Sequence, residues 1–281
     1  MEIIVCAKQV PDLTEADVKI NPDGKSINLE SIPMDINELD NYALEEALLM
    51  KEKYSGKVAV VTVGSETSDE MLRICLAKGA DEAVRITYKD ELDGYLTAKL
   101  IAAVIKNKYK PDLILTGVQS SDYSSAQVGG MLAELLDIPH ATIVTHAELK
   151  NNTKISNMDF KREISTENLS VAEFTAEVHR ELEGGLKEIV DIALPAVLTI
   201  QSGINEPRYA SMIGIRRAKD KEIKILTPED LGLRLDELKL KTWIENMSIP
   251  PKGEGAEIIT GTVEESATKL AGILKDKGAL T

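Results

Sequence analysis

Three short stretches sit where the carboxyl ends of strands are expected, and the richest of them carries residue types suited to holding a phosphate. The first is Cys6-Ala7-Lys8, running into Gln9-Val10-Pro11-Asp12. The second is Gly64-Ser65, directly after Val63. The third is Gly117-Val118-Gln119-Ser120-Ser121-Asp122-Tyr123-Ser124-Ser125-Ala126-Gln127-Val128-Gly129-Gly130, crowded with small hydroxyls and closed by two glycines. A loop of this kind between a strand and a helix aims free backbone N–H groups and hydroxyls at one point, which is the chemistry that cradles an anion. Gly129 and Gly130 would let the backbone approach a ligand closely. The loop is not a Walker A loop, because no Gly-Lys-Ser/Thr follows, and it is not GxGxxG. An ordinary polar connection has a similar composition, so spacing alone leaves both readings open.

A second dense patch spans residues 194–219. A buried apolar run, 194–200, feeds a proline-containing loop with Arg208 and Tyr209; then come Met212, Ile213, Arg216, Arg217 and Lys219. Apolar residues without strand or helix cover, Met above all, suit adaptable protein contacts. Inward packing of Met212 and Ile213, with a solvated basic helix face, is the alternative. Cys6 and Cys75 read as buried thiols of a reducing compartment, and three histidines without metal-ligand spacing argue against a metal site. No nucleophile or acid–base pair stands out as catalytic.

The elements that position these stretches follow from periodicity. Strands are expected at residues 2–7, 57–63, 82–86, 113–116 and 141–145, and helices at 41–53, 67–77, 96–107 and 126–136. Thr67-x-x-Glu70 reads as a capping box, Gly79 as a helix stop and Asp93 as an N-cap. Strands alternating with helices predict an α/β fold, a parallel sheet flanked by helices, which binds ligands at the carboxyl ends of its strands. After residue 145 the pattern changes. Phe174, Ala176, Val178, Arg180 and Leu182 alternate as a half-exposed strand, Gly184-Gly185 turns, and 186–200 returns as a partner strand interrupted by Pro195. Residues 156–171 are polar and weakly patterned. The tail is rich in Pro and Gly before an amphipathic helix at 263–275. The expected organisation is an α/β domain over 1–226, the one that the resemblance given below makes nucleotide-binding, and a C-terminal arm over 227–281.

Composition narrows the partners. The chain has 281 residues, with 33 Lys+Arg against 47 Asp+Glu, a net charge of −14. That balance argues against duplex nucleic acid, which needs a basic footprint. No stretch approaches the roughly 20 apolar residues of a membrane span, and the N-terminus reads as a strand rather than a signal peptide, so a cytoplasmic location is expected. Aromatic residues make up only 4%, so the core must be aliphatic.

The residues also carry a resemblance. The Leu-Pro-Ala-Val of 194–197, the Asn-Glu-Pro-Arg-Tyr of 205–209 and the basic stretch after them are similar to the signature of electron transfer flavoprotein β subunits. Val178-x-Arg180-Glu181-x-x-Gly184-Gly185 resembles that family's hairpin, and Lys8-Gln9-Val10-Pro11-Asp12 and Asn37 with Ala43-Leu44-Glu45-Glu46-Ala47 fit as well. The match runs in order from Met1 to about Leu231, with residues 156–171 as an apparent insertion.

The resemblance implies an adenine-nucleotide-binding fold (Rossmann-like, HUP-type) with an added β-hairpin, and a heterodimer with an α subunit that holds the redox FAD and is wrapped by the C-terminal arm. It implies a nucleotide in this chain's own site, AMP in simple carriers or a second FAD in electron-bifurcating members. Val128 looks like the bifurcating type and favours FAD. The site would use Cys6, Ala7, Lys8, Asn37, Glu38, Leu39, Asp40, Val63, Gly64, and Gly117, Val118, Gln119, Ser120, Ser121, Asp122, Tyr123, Ser124, Ser125, Ala126, Gln127, Val128 and Gly129. Backbone near Cys6 and Val63 would meet the adenine, and Ser124, Ser125 and the amides of 127–129 the phosphate. Asp40 and Asp122 would orient donors or accept a ribose hydroxyl. Arg180 and Glu181 would face the α subunit, and Arg208, Tyr209, Met212 and Ile213 would meet a partner such as a flavin dehydrogenase of the acyl-CoA dehydrogenase type, with Met212 as anchor. The implied function is electron transfer between flavin dehydrogenases or NADH and a dehydrogenase, ferredoxin or quinone oxidoreductase. An adenine-nucleotide-dependent enzyme or a nucleotide-sensing module is the alternative.

Overall fold

The computed structural model describes residues 1–151, 174–251 and 255–279. The expectation for 156–171 lies outside them. The described chain divides into two units, Met1–Val18 with Asn28–Ile244, and Lys19–Ile27 with Glu245–Thr281.

The first unit alternates strand and helix. In order it holds β1 (Glu2–Cys6), β2 (Gln9–Pro11), β3 (Met34–Ile36), α1 (Glu38–Tyr54), β4 (Lys57–Gly64), α2 (Ser68–Lys78), β5 (Glu82–Thr87), α3 (Gly94–Lys108), β6 (Leu113–Gly117) and α4 (Val128–Leu136). Then follow β7 (His140–Asn151), β8 (Phe174–Glu181), β9 (Lys187–Ala193), β10 (Ala196–Ile200), α5 (Met212–Lys219) and β11 (Ile223–Leu226). Among the described residues, nine strands form one sheet in the order β11-β5-β4-β1-β6-β10-β7-β8-β9. Pairing is parallel from β11 to β7 and antiparallel at β7–β8 and β8–β9. Inner strands such as β1, β6 and β10 are apolar without alternation because helices cover both faces. Two aliphatic clusters result, one under α1 and α2 around Val5, Leu44, Leu72 and Leu115, the other under α3 and α4 around Ile4, Val61, Ile101 and Leu132.

Local signals fare unevenly. Asp93 does cap α3, accepting from the Leu96 N–H at 2.7 Å. Gly79 ends α2 at φ +134°, a conformation that L side chains rarely adopt. The Thr67 capping box does not form. Thr67 already has helical dihedrals, and its hydroxyl donates to Gln9 Oε1 at 3.1 Å. Residues 186–200 are not one partner strand. β9 completes the hairpin with β8, whereas β10 enters the sheet between β6 and β7, because a strand apolar at four of its five positions gains most where both faces are covered. The edge strand β11, with only its end residues part-buried, had no clear sequence signal. Arg85 sits in the largely buried β5, only 2% exposed, and is satisfied by Asp69 Oδ1 at 2.7 Å and Thr87 Oγ1 at 2.8 Å.

The second unit has an Ile20–Ile27 bridge closed by a turn in which Asp23 accepts from the N–H groups of Lys25 and Ser26. Met247 N–H donates to Gly24 O at 2.7 Å. Its helix α6 (Val263–Asp276) opens with a true capping box between Thr262 and Glu265. No described helix is long and apolar enough to cross a membrane.

Candidate functional site

β1, β4 and β6 are neighbours and parallel, so their carboxyl ends bring the three sequence stretches together. A cleft of about 540 Å³ opens there. Its walls include Cys6, Ala7, Lys8, Asn37, Asp40, Val63, Gly117, Val118, Gln119, Ser120, Tyr123, Ser125, Ala126, Gln127, Val128 and Gly129. Glu38, Leu39, Gly64, Ser121, Asp122 and Ser124, also expected there, are not among those walls.

The start of α1 holds the cleft in shape. Asp40 is buried, and its two oxygens accept from the N–H groups of Lys8 and Gly117, both at 2.8 Å. It thereby ties the end of β1 to the end of β6. Burial outweighs these hydrogen bonds and raises the Asp40 carboxyl to about 6. Asn37 donates to Gln119 O at 2.9 Å and accepts from Ser121 N–H at 3.1 Å, fixing the first half of the long loop. Gly117 must be glycine, since a Cβ would lie 2.6 Å from Asp40 Oδ1.

The long loop contains no cation, yet one reaches it. Lys8 Nζ bonds both Asp122 oxygens at 2.5 and 2.6 Å, lies 3.4 Å from Ser120 Oγ, and sits 4.4 Å from the Tyr123 ring centroid. This pairing spans 114 residues, so sequence spacing gave no hint of it. Ser124 and Ala126 adopt positive φ of 50° and 52°, an unusual bend for non-glycine residues at the approach to α4. No side chain caps α4, which leaves its first N–H groups without a bond from the N-cap at the cleft wall. Gly129 has another use than the one expected of it. A Cβ there would come within 2.4 Å of Thr199 Cγ2, so its bareness lets α4 press on β10. At the cleft floor, burial and then the Asp40 charge push the Cys6 thiol far up, so it stays neutral.

The opposite wall was missed by sequence reasoning. Asp90–Gly94, Thr97 and Ile101 come from the end of β5 and from α3, and Thr242, Trp243 and Ile244 from the chain beyond β11. The β5 contribution had a signal, being a fourth strand end of the same sheet.

The second patch is built on α1 and α2. Met212 and Ile213 open α5, 72% and 64% exposed, and Ser211 Oγ caps the helix by accepting from Gly214 N–H at 3.0 Å. Gly214 allows the close approach of α5 to α2, since a Cβ would sit 2.2 Å from Ala77 O. Tyr209 is 97% exposed. Arg208, expected at a partner surface, has its guanidinium committed within the chain. It contacts the buried Glu45 at 2.9 Å and Glu52 at 2.5 Å, because α1 presents both carboxylates there. Asn205 donates to Tyr42 O and Glu46 Oε2. Arg216, Arg217 and Lys219 stay exposed. Arg180 donates to Thr142 O and Oγ1 and pairs with Glu188 at 2.7 Å, bracing the hairpin, while Glu181 is exposed at its end.

The sequence matches the electron transfer flavoprotein domain family over residues 26–231. It is 39% identical over 288 residues to the electron transfer flavoprotein subunit beta of Methylophilus methylotrophus, covering 99% of this chain and 100% of that one. It is 38% identical to the caffeyl-CoA reductase-Etf complex subunit CarD of Acetobacterium woodii, over 99% of both chains. To the electron transfer flavoprotein subunit beta of Bacillus subtilis it is 36% identical, over 99% of this chain and 98% of the other. With a family match across most of the chain and full-length relatives of this kind, the chain belongs to the electron transfer flavoprotein family, in the line of its beta subunits.

Proposed function

We propose that this chain pairs with an α subunit, holds an adenine nucleotide in the cleft at the ends of β1, β4 and β6, and serves electron transfer between flavin dehydrogenases or NADH and a further acceptor. The observation that carries the nucleotide reading is the junction of an uncapped helix start, α4, with a cleft in a parallel sheet. The volume of about 540 Å³ falls among small-molecule sites, and the lining fits the group: apolar Val63, Ile101 and Val128 for a ring, and the amides of 125–129 with the Ser125 hydroxyl for phosphate.

We assign FAD to this site, with AMP as the competing occupant, on the type of residue at Val128. A flavin supplies reversible electron acceptance when bound. This chain's own residues bind and orient. Asp40 and Asn37 hold the loop to the strand ends, and Lys8 brings positive charge toward the phosphate while Asp122 restrains it. The exposed Met212 and Ile213, beside Arg216, Arg217 and Lys219, suit docking of a dehydrogenase, with Met212 as the anchor. Arg180, Glu181 and the C-terminal arm are assigned to the α subunit interface.

Flavin counting tests the site. The purified heterodimer should carry two flavins by absorbance; one flavin with released AMP overturns the FAD assignment. Met212→Glu tests the docking. It should lower partner reduction about a hundredfold, as loss of an interface anchor does, with flavin content intact. Unchanged partner reduction removes Met212 from that role.

A further inference from the structure

We propose that Trp243, which follows the two residues that Asp93 holds, is the aromatic wall against which the planar ring of the bound nucleotide stacks. This rests on the reading of the cleft as a nucleotide site.

Between β11 and Ile244 the chain has no strand and only two short 3-10 turns, Glu229–Leu231 and Leu235–Glu237, yet it is held along its length. Leu231 and Leu238 are buried in the cluster under α3 and α4, and Leu233 and Leu240 pack against it. Asn107 Nδ2 donates to Leu231 O at 3.0 Å, and Lys99 Nζ to Glu237 O at 3.4 Å. The last fastening is the tightest. Asp93 spends one carboxylate oxygen on capping α3 through Leu96 N–H at 2.7 Å. The other accepts from Lys241 N–H at 2.6 Å and Thr242 N–H at 2.9 Å. Lys241 Nζ lies 5.3 Å from the Tyr95 ring centroid. The two residues before Trp243 are thus fixed to the start of α3, a wall of the cleft.

Trp243 itself is 67% exposed while lining that cleft beside Leu92, Ile101 and Val128. A fixed backbone presenting a largely uncovered indole to an apolar cavity is the arrangement that a stacked heteroaromatic ring completes. The indole offers a wide flat face at little conformational cost, and such stacking tolerates any planar base. The chemistry recognised is therefore the ring, adenine or isoalloxazine, and the phosphate is left to the α4 side.

Trp243 is the chain's single tryptophan, so its emission reports this wall. The full chain, stripped of nucleotide, is titrated with AMP and separately with FAD, followed by equilibrium dialysis and by fluorescence. Emission should be quenched along the dialysis isotherm. Trp243→Ala should weaken dialysis binding about tenfold, the cost of losing one stacking partner, and Trp243→Phe should restore it to within about twofold. Quenching by AMP assigns adenine to the wall; an Ala effect confined to FAD assigns the flavin ring. Normal binding of both nucleotides by Trp243→Ala, with AMP leaving wild-type emission unchanged, overturns the proposal. Failure of both nucleotides to bind the wild-type chain in dialysis overturns the nucleotide reading itself.

Discussion

Helix α1 organises two regions with carboxylates, and it does so by opposite means. At its first turn Asp40 is clasped by two backbone N–H groups, and burial raises it to about 6. Further along, Glu45 and Glu52 are clasped by the Arg208 guanidinium, whose hydrogen bonds hold Glu52 below its ordinary value. Neutral donors leave a buried charge expensive to keep, whereas a cation offsets it. The cleft therefore hangs on a group that can take up a proton near pH 6, while the base of α5 hangs on a guanidinium shared between Glu45 and Glu52. The cleft thus has a tunable, backbone-defined rim, and the α5 surface a fixed base.

Breaking the cation clasp should have the largest effect. Arg208→Ala leaves Glu45 buried without its partner and should cost about 3 kcal/mol in urea unfolding. A loss below about 1 kcal/mol would show that water replaces the guanidinium and that the two clasps differ little. The Asp40 clasp comes next and is read through pH. Its folded value lies above the unfolded 3.8, so the stability it contributes is complete below about pH 4 and is lost as pH rises through about 6. Relative to Asp40→Asn, the wild type should lose roughly 2 kcal/mol between those limits, because each tenfold difference in proton affinity between folded and unfolded chain is worth about 1.4 kcal/mol. A pH-independent difference between the two would mean that Asp40 ionises normally. Glu52→Gln, on the exposed side of the Arg208 clasp, should cost under about 1 kcal/mol, as solvent-exposed pairs do. An effect as large as that of Arg208→Ala would move the weight of the clasp from Glu45 to Glu52.

The elements of both regions were largely legible, and their long-range ties were not. The apolar runs at β1, β4 and β6 and the period of α1 and α3 announce a parallel α/β sheet, because burial on two faces writes itself into neighbouring residues. Asp93 was readable as a cap because its partner is three residues away; its grip on Lys241 and Thr242 was not. Lys8 reaches Asp122, and Arg208 reaches Glu45, across more than a hundred residues, where no local period records the contact. Thr67 shows the reverse failure. Its motif was local and correct in form, but Gln9 offered its hydroxyl another acceptor. Trp243 had no signal at all, since an irregular segment positions it.

The place of β10 has a consequence for how the protein is made. It lies between β6 and β7, both of which leave the ribosome before it does. Until residue 200 emerges, β5-β4-β1-β6 and β7-β8-β9 are separate pieces, each ending in an unpaired edge of the kind that templates aggregation. The segment that joins them, Ala196–Ile200, is buried at every position once in place and has no comparable shelter before. Synthesis thus carries an obligatory interval in which a half-built sheet waits for its keystone, and it is in that interval, rather than in the finished protein, that a chaperone has most to hold.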